Sequence, residues 1–461
     1  MEKQVLLYDF VHKAMKKLEK KDITYAEAFF TTTCRNEVTI RNAEILTQNT
    51  IEDCGVGFRV ASGGKVGFAC TNRLSEEAVG SAAEKASDIA RVSSEVPHFA
   101  LPGPGPLSHP EGLYHSEVDS VEIEDAVDIA KRAIAASEDV DPRIVVKSGR
   151  VSFQSIRQGI INNLGVDCQE PRTKASLYMG GIGESNGEVT GVCSDFVYTR
   201  AADLEPEKIG ESVGKKVCKM FNPQPAQKFQ GTVIFGPEVN SYQLTDVLID
   251  ALRGDSVAAG RSAWTQKVGQ KVASDMLTVK DNPLLENGYF SRGFDDEGCP
   301  SQNTPLIQKG ELVQFLQNAT SADLLKTENT GNASRFYGGF DLVASIVGSG
   351  YRTTPEIYSS NLMIHPGTYA QEDLISEVEK GVLIESMDGF AQAGSGLVSA
   401  RLARAFFIKN GEVQYPLKGG MVSGVAFDWF NRISGVGSDV KQFQNEVVPS
   451  LRIEDVTVVG A

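Results

Sequence analysis

A chain of 461 residues, 41% hydrophobic and 23% charged, has the make-up of a globular protein of two to four domains. Its net charge of −15 and isoelectric point near 5.0 exclude a broad basic surface of the kind that neutralises nucleic-acid phosphates. No run of about 18 apolar residues could cross a membrane. The opening MEKQVLLYDFVHKAMKKLEKK is too interrupted by charge for a signal peptide, so a cytoplasmic protein is expected.

The first helix is predicted over about Lys3 to Lys20, with Leu7, Phe10, Ala14 and Leu18 on one face. Five strand-like runs follow, YAEAFFTTT, EVTIRN, EILTQNT, CGVGFRVA and KVGFACTN, with Gly63 and Gly64 marking a hairpin. A helix is predicted over Ser75 to Val92, with Ser75 as N-cap and Glu76 and Glu77 at the positive end of the dipole. Five prolines between Pro97 and Pro110 make residues 96–116 a stiff, extended connection without regular structure. After Ser120 comes a helix to about Ala136, and strands return from Arg143.

The second set of strands echoes the first. IRNAEILTQNTIEDCGVGFRVASGGKVGFACTN is answered by IRQGIINNLGVDCQEPRTKASLYMGGIGESNGEVTGVCSD, and each ends in a helix, the second over about Glu205 to Met220. Residues 1–225 therefore read as an N-terminal α/β domain of two diverged sheet-plus-helix units. NPQPAQKFQ, from Asn222 to Gln230, marks the boundary to a second domain over 226–461. That domain is β-rich: LIQKGELVQFLQN, DLVASIVG, NLMIHPG, GVLIES and ARAFFIKNGEVQYPLKG are short strands joined by Lys-Gly and Asn-Gly turns. A barrel or sandwich with helices packed on it, at about Glu238 to Leu252 and Gln371 to Lys380, makes the whole chain α+β.

Catalytic chemistry is sparse. The five histidines are His12, His98, His109, His115 and His365. His109 and His115 flank Glu111, but six residues containing Pro110 and Gly112 cannot place two imidazoles one helical turn apart; a solvated loop is expected. No Gly-x-Ser-x-Gly elbow surrounds Ser395. Cys299 follows Asp295, Asp296 and Glu297, which raise a thiol pKa and oppose activation. The acidic run FDDEG lacks calcium-loop spacing and reads as a turn of solvated carboxylates. Seven widely spaced cysteines with no CxxC read as reduced thiols.

GTVIFGPEVNSYQLTDVL, Gly231 to Leu248, is a buried strand running through a turn into a helix. Beyond it lies an ordered series: KVGQKVAS, TVKDNP, FDDEG, QKGELV and NTGNAS, then NLMIHPG, GVLIES, IKNGEVQYPLKGGMVSG and GVGSDV. This series resembles the TldD/PmbA family, also called modulators of DNA gyrase, over most of the chain. The resemblance implies a fold of an N-terminal α/β region and a β-rich C-terminal domain. It also implies two branches that pair as a heterodimer, of which the TldD branch carries His-Glu-x-x-x-His at the start of this helix and a C-terminal cysteine as a further metal ligand. Here the matching positions are Pro237, Glu238 and Tyr242, no histidine occurs between His115 and His365, and no cysteine follows Cys299. Family members often carry Gly-Asp-Phe-Ser where this chain has Leu397 and Val398 in GSGLVSARLARAFF.

The resemblance thus implies a PmbA/TldE-like subunit without catalytic or metal-binding residues of its own. Zinc and the general base belong to a TldD-like partner, and the complex trims unfolded or precursor peptides. Glu238, Thr330, Gly331 and Asn332 are candidates for contact with a peptide. Three alternatives stay open: a self-associating peptide-binding or regulatory protein in a gyrase or toxin–antitoxin context, a hydrolase using Ser395 or Cys299, and a homodimer of the isolated chain.

Overall fold

The computed structural model describes residues 2–19, 21–185, 187–335 and 350–460. The strand expected at DLVASIVG, residues 341–348, lies outside them. The first unit runs α1 (Glu2–Leu18), β1 (Tyr25–Arg41), β2 (Glu44–Ser62), β3 (Lys65–Thr71) and α2 (Glu76–Val92). The second repeats the order as α3 (Ile123–Glu138), β4 (Ile144–Asn162), β5 (Asp167–Ser185), β6 (Cys193–Thr199) and α4 (Pro206–Lys219). The strands form one antiparallel sheet in the order β3-β2-β1-β4-β5-β6, extended by the short strand Glu188–Val189. β1 and β4 meet antiparallel at its centre, so the two units are related by an approximate two-fold across that seam.

The five short strands expected in the first unit are three long ones. YAEAFFTTT and EVTIRN join into β1, and EILTQNT and CGVGFRVA join into β2. A polar stretch such as Cys34–Arg35–Asn36 continues a strand when both neighbours pair with it, as β2 and β4 do here. One face of the sheet carries the helices. Leu7, Val11, Phe30, Phe58, Val79 and Ala86 fill the first unit's core, and Ile40, Val151, Leu177, Ala133 and Val213 fill the second's. The opposite face meets the C-terminal part, where Phe29 and Ile160 pack on Phe294 and Tyr351.

Residues 100–110 have no regular structure, and they are seated rather than loose. Ala100 and Leu101 are buried, the Pro102 carbonyl accepts from Asn162 Nδ2 at 2.8 Å, and Ala100 N donates to Thr320 Oγ1.

In the C-terminal part, β7 (Phe229–Phe235), β8 (Lys380–Gln392), β9 (Leu397–Lys409), β11 (Met421–Val425) and β12 (Leu451–Val459) close into a ring, with β10 (Glu412–Lys418) paired outside β9. The ring order is β8-β7-β12-β11-β9 and back to β8; only β7 and β8 run parallel. Closure removes the free edges that an open sheet of short strands would expose. The turns are those the sequence calls for: Lys309-Gly310 and Asn410-Gly411 take positive φ at both positions, the geometry that suits the twist of a two-residue hairpin. Gln224–Pro225 pairs with the end of β10. A second sheet of six short strands, centred on Val279–Asp281 and Leu362–Ile364, lies in the same part.

Candidate functional site

β7 ends at Phe235, and the helical segment α5 (237–252) begins at once. Gly236 is its N-cap in an extended conformation and Pro237 its first residue, a position that tolerates proline because its N–H has no helical partner. The segment opens with an α turn (Pro237–Val239), passes through a π turn (Asn240–Leu244) and finishes as α-helix (Thr245–Leu252). In an α-helix, five residues overshoot a full turn by about 140°. The wider i→i+5 turn reduces that overshoot and brings position 242 nearer the face of position 237. Val239, Leu244, Val247 and Leu248 join the barrel residues Phe235, Ile384 and Val398, and Trp429 of the short helix Ala426–Asn431, in one core.

Glu238 projects from the first turn of α5 onto Arg404 of β9. Arg404 Nη2 donates to Glu238 Oε2 at 2.8 Å, and Arg404 Nε donates to Glu385 Oε2 of β8 at 2.7 Å. The guanidinium side chain is 2% exposed and its two carboxylates 15% and 19%, so this is an almost closed cation flanked by two acids. Beside it Asp195 of β6 is bridged by Lys216 of α4, at 3.1 Å, and by Lys441. These lysines hold its carboxyl well below the usual range against the opposing effect of burial. The Asp195 cluster joins the N-terminal sheet to the C-terminal part.

Tyr242 carries no metal-like geometry. Its ring meets Phe443 and Phe196 edge-on, with centroids 5.6 and 6.5 Å away. Burial, with Tyr198, Glu238 and Glu446 nearby, pushes its hydroxyl well up. Asp246 on the next turn and Glu446 of the strand Glu446–Val448 form a pair not singled out in the sequence. Burial pushes Glu446 up to about 8, helped by Asp246, which burial in turn pushes up to about 6. Ser241 Oγ reaches Glu446 Oε2 at 3.3 Å.

Thr330, Gly331 and Asn332 are buried and turned to internal use. Asn332 Nδ2 donates to Asp281 Oδ2 at 2.7 Å and to the Tyr358 carbonyl at 3.2 Å. Thr330 Oγ1 donates to Asn332 Oδ1 at 2.7 Å, and the Gly331 carbonyl accepts from Arg292 Nη2. They do not come together with Glu238 in any hydrogen bond.

The FDDEG carboxylates are not solvated, contrary to the turn expected from sequence. Asp295 and Glu297 are 0% exposed and Asp296 7%. Asp295 accepts backbone N–H bonds from Glu297, Cys299 and Ala333, each at 2.9 Å. Asp296 accepts from Gln158 Nε2 and from Arg335 N. Glu297 accepts from Arg59 Nη2 of β2 at 2.7 Å, and Arg59 and Arg335 both reach Glu27 of β1, at 2.9 and 2.5 Å. The reason is partnership: donors from distant strands and exposed main chain take up each lone pair.

Cys299 is buried, and burial reinforced by Asp295 and Glu297 pushes its thiol well up. Ser395 lies exposed in the turn between β8 and β9, donating to Gln392 Oε1. His115 contacts Asn287, and His109 lines a cleft of about 280 Å³ with Pro110, Tyr114, Glu170, Pro171 and Phe294. Among the described residues, no group of three or more His, Cys, Asp and Glu side chains is arranged to hold a metal ion, and no helix is long and apolar enough to cross a membrane.

Arg404 and Glu385 were missed in the sequence. A signal was there: Arg404 stands in the otherwise apolar run ARAFFI of β9 and is buried, and an arginine buried in such a strand needs an acid partner.

A double meander with flanking helices, joined to a closed barrel entered by a strand–helix unit, defines the class of protein. Three family models cover it in order: PmbA/TldA metallopeptidase domain 1 over residues 26–90, the central domain over 116–221 and the C-terminal domain over 228–460. The chain belongs to this PmbA/TldD family. It is 26% identical to metalloprotease PmbA of Escherichia coli O157:H7 over 94% of this chain and 92% of that protein. It is 22% identical to the metalloprotease TldD homolog of Buchnera aphidicola over 97% and 95% of the two chains. The crystal structure of TldE from Thermococcus kodakarensis superposes with a TM-score of 0.87 at 23% identity, covering 98% of this chain and all of that one. A Thermotoga maritima protein described as a putative modulator of DNA gyrase gives 0.85 at 24% identity, over 98% and 99%.

Proposed function

We propose that this chain is the non-catalytic, TldE-like subunit of a heterodimeric metallopeptidase that trims unfolded or precursor peptides in the cytoplasm. The observation that carries the reading is the Glu238–Arg404–Glu385 cluster. In the TldD branch that the family resemblance describes, the glutamate at this helix start lies between two histidines. Here Pro237 has no donor atom to offer, Tyr242 sits in an aromatic cluster, and Glu238 is already neutralised by a guanidinium. A divalent ion brought to Glu238 would meet Arg404 at close range, and like charges in a poorly solvated site repel strongly. The residues present therefore do not fit a zinc ion, and no step of hydrolysis is routed through this chain. Its part is to hold the partner's fold and to present peptide.

The test is a comparison of the purified chain alone and with a co-expressed TldD-like subunit. The expected result is no zinc by elemental analysis and no peptide hydrolysis for the lone chain, with both appearing in the complex. Stoichiometric zinc in the lone chain, or hydrolysis that resists chelators and is lost on Ser395→Ala or Cys299→Ala, would overturn the reading.

A further inference from the structure

On the side of β5 away from β4, β6 pairs with Ala175–Gly181. Just before that stretch, the Thr173 N–H donates at 2.9 Å to the Leu113 carbonyl of the proline-rich connection, and the Thr173 carbonyl accepts from Arg200 Nη1. In an antiparallel strand, successive residues turn their main-chain groups to opposite sides. Thr173 fixes the phase, so Gln169 and Pro171 also turn theirs away from β4. The Gln169 N–H and carbonyl and the Pro171 carbonyl face outward, and among the described residues no group bonds to them. Here the connection stands off from the strand. Leu107, Pro110, Leu113, Tyr114 and Phe294 line the cleft of about 280 Å³ together with residues 169–171.

We propose that this cleft binds a free peptide as a short extra strand on β5, holding an apolar side chain. Two acceptors and one donor at strand spacing match the main chain of an extended peptide. A recess of this size takes about two or three residues, not the face of a folded partner. In the antiparallel sense, the more stable one, the peptide residue opposite Gln169 both donates and accepts. The residue opposite Pro171 only donates, because Pro171 has no N–H. The residue between them turns its N–H away and its side chain to the face of Glu170. That face carries Phe294 and Leu107, packed with Cys168. The Glu170 carboxylate is already taken by Arg172 Nε and the Gly293 N–H, so the side chain selected is apolar, not cationic. The inference rests on the functional reading only in taking the peptide to be a substrate of the complex. Binding itself is read on the lone chain, where neither zinc nor hydrolysis enters, so its failure leaves that reading standing.

The test titrates acetyl-Ala-Leu-Ala-amide into the full chain and follows it by saturation-transfer NMR. Saturable binding is expected, with the leucine opposite Glu170. Methylating the main-chain nitrogen of either alanine removes a bond to the edge and should weaken binding roughly tenfold. Methylating that of the leucine, which points away, should change little. Gln169→Pro deletes the one edge donor as Pro171 already does two residues on, and a strand edge tolerates proline there. It should weaken binding by a similar factor, while Gln169→Ala, which keeps the N–H, should bind like the parent. Ser108→Trp fills the cleft and should abolish binding; circular dichroism melts confirm that the variants fold. No saturable binding up to the solubility limit of the peptide would overturn the proposal. Equal weakening by all three methylations would do the same, as would binding that a folded Gln169→Pro or Ser108→Trp variant retains. If neither variant folds, the methylated peptides on the parent chain decide.

Discussion

Arg404 shows how much one side chain can decide. It is a buried cation whose two acids come from different elements, so it ties the start of α5 to the barrel wall as well as balancing charge. Replacing it leaves two carboxylates facing each other in a site of low solvation, and removing one partner of a buried pair costs about 3–5 kcal/mol. Arg404→Ala is expected to lower stability by that amount in urea unfolding. Adding Glu238→Gln and Glu385→Gln should return most of the loss, because the triple variant no longer buries unpaired charge. Glu446 behaves in the opposite sense. Its carboxyl is held protonated in the fold up to about pH 8, against an ordinary value of 4.5. The folded state therefore binds a proton that the unfolded chain has released, and stability on this account falls as pH rises from about 4.5 to about 8. Glu446→Gln keeps the neutral shape and removes the cost. Its thermal midpoint should exceed that of the parent at pH 8 and match it near pH 4.5. The free-energy gain at pH 8 is at most roughly 5 kcal/mol.

At the scale of elements, close approach is bought with glycine. Gly67 of β3 lies under α2, where a Cβ would collide with the Ala86 carbonyl and the Ala90 nitrogen, both main chain and unable to swing aside. Gly67→Ala is expected to push α2 off the sheet and cost about 1–3 kcal/mol, read from urea unfolding, while Gly64→Ala in the neighbouring turn meets no atom within 4 Å and tests backbone strain alone. The same scale shows what the sequence made legible. The repeated helix–meander–helix order, the Ser75 N-cap, the Lys309-Gly310 and Asn410-Gly411 hairpins and the strand-to-helix turn at Gly236 all rest on local signals, and all are present. The full length of β1 and β2 was hidden because their polar middles are held by pairing, not by burial. The π turn of α5 was hidden because no residue type specifies it. Burial of FDDEG was hidden because its donors, Arg59 and Gln158, come from strands more than 100 residues away. Acids in a turn look solvated until their partners arrive.

For the whole molecule, the question is whether the N-terminal sheet and the barrel part unfold together. Three links join them without relying on apolar area alone. Glu297 and Arg335 interlock with Arg59 and Glu27, and Asp195 holds Lys441. Arg200 is 1% exposed and reaches five main-chain carbonyls: Leu113 and Thr173 on its own side, Gly288, Tyr289 and Ser291 on the other. Burial and the nearby Arg172 depress its pKa, yet Glu170 and the carbonyl cage favour the charge. Each link is a buried ionic or charge-assisted group that loses its compensation if the two parts separate, so partial unfolding exposes unpaired charge rather than a clean surface. That coupling predicts a single calorimetric transition for the intact chain. Glu297→Ala removes a carboxylate that meets both Arg59 and the Ala319 N–H, weakening the joint while leaving each core whole. Its scan should resolve into two transitions, with the N-terminal sheet, whose first-unit core is small and alanine-rich beside that of the barrel part, melting first. If Glu297→Ala instead lowers one undivided transition, the two parts are coupled by their apolar contacts, at Phe29, Ile160, Phe294 and Tyr351 and where Ile234, Leu383 and Phe406 join the second unit's core, and the acidic turn is a local fastener.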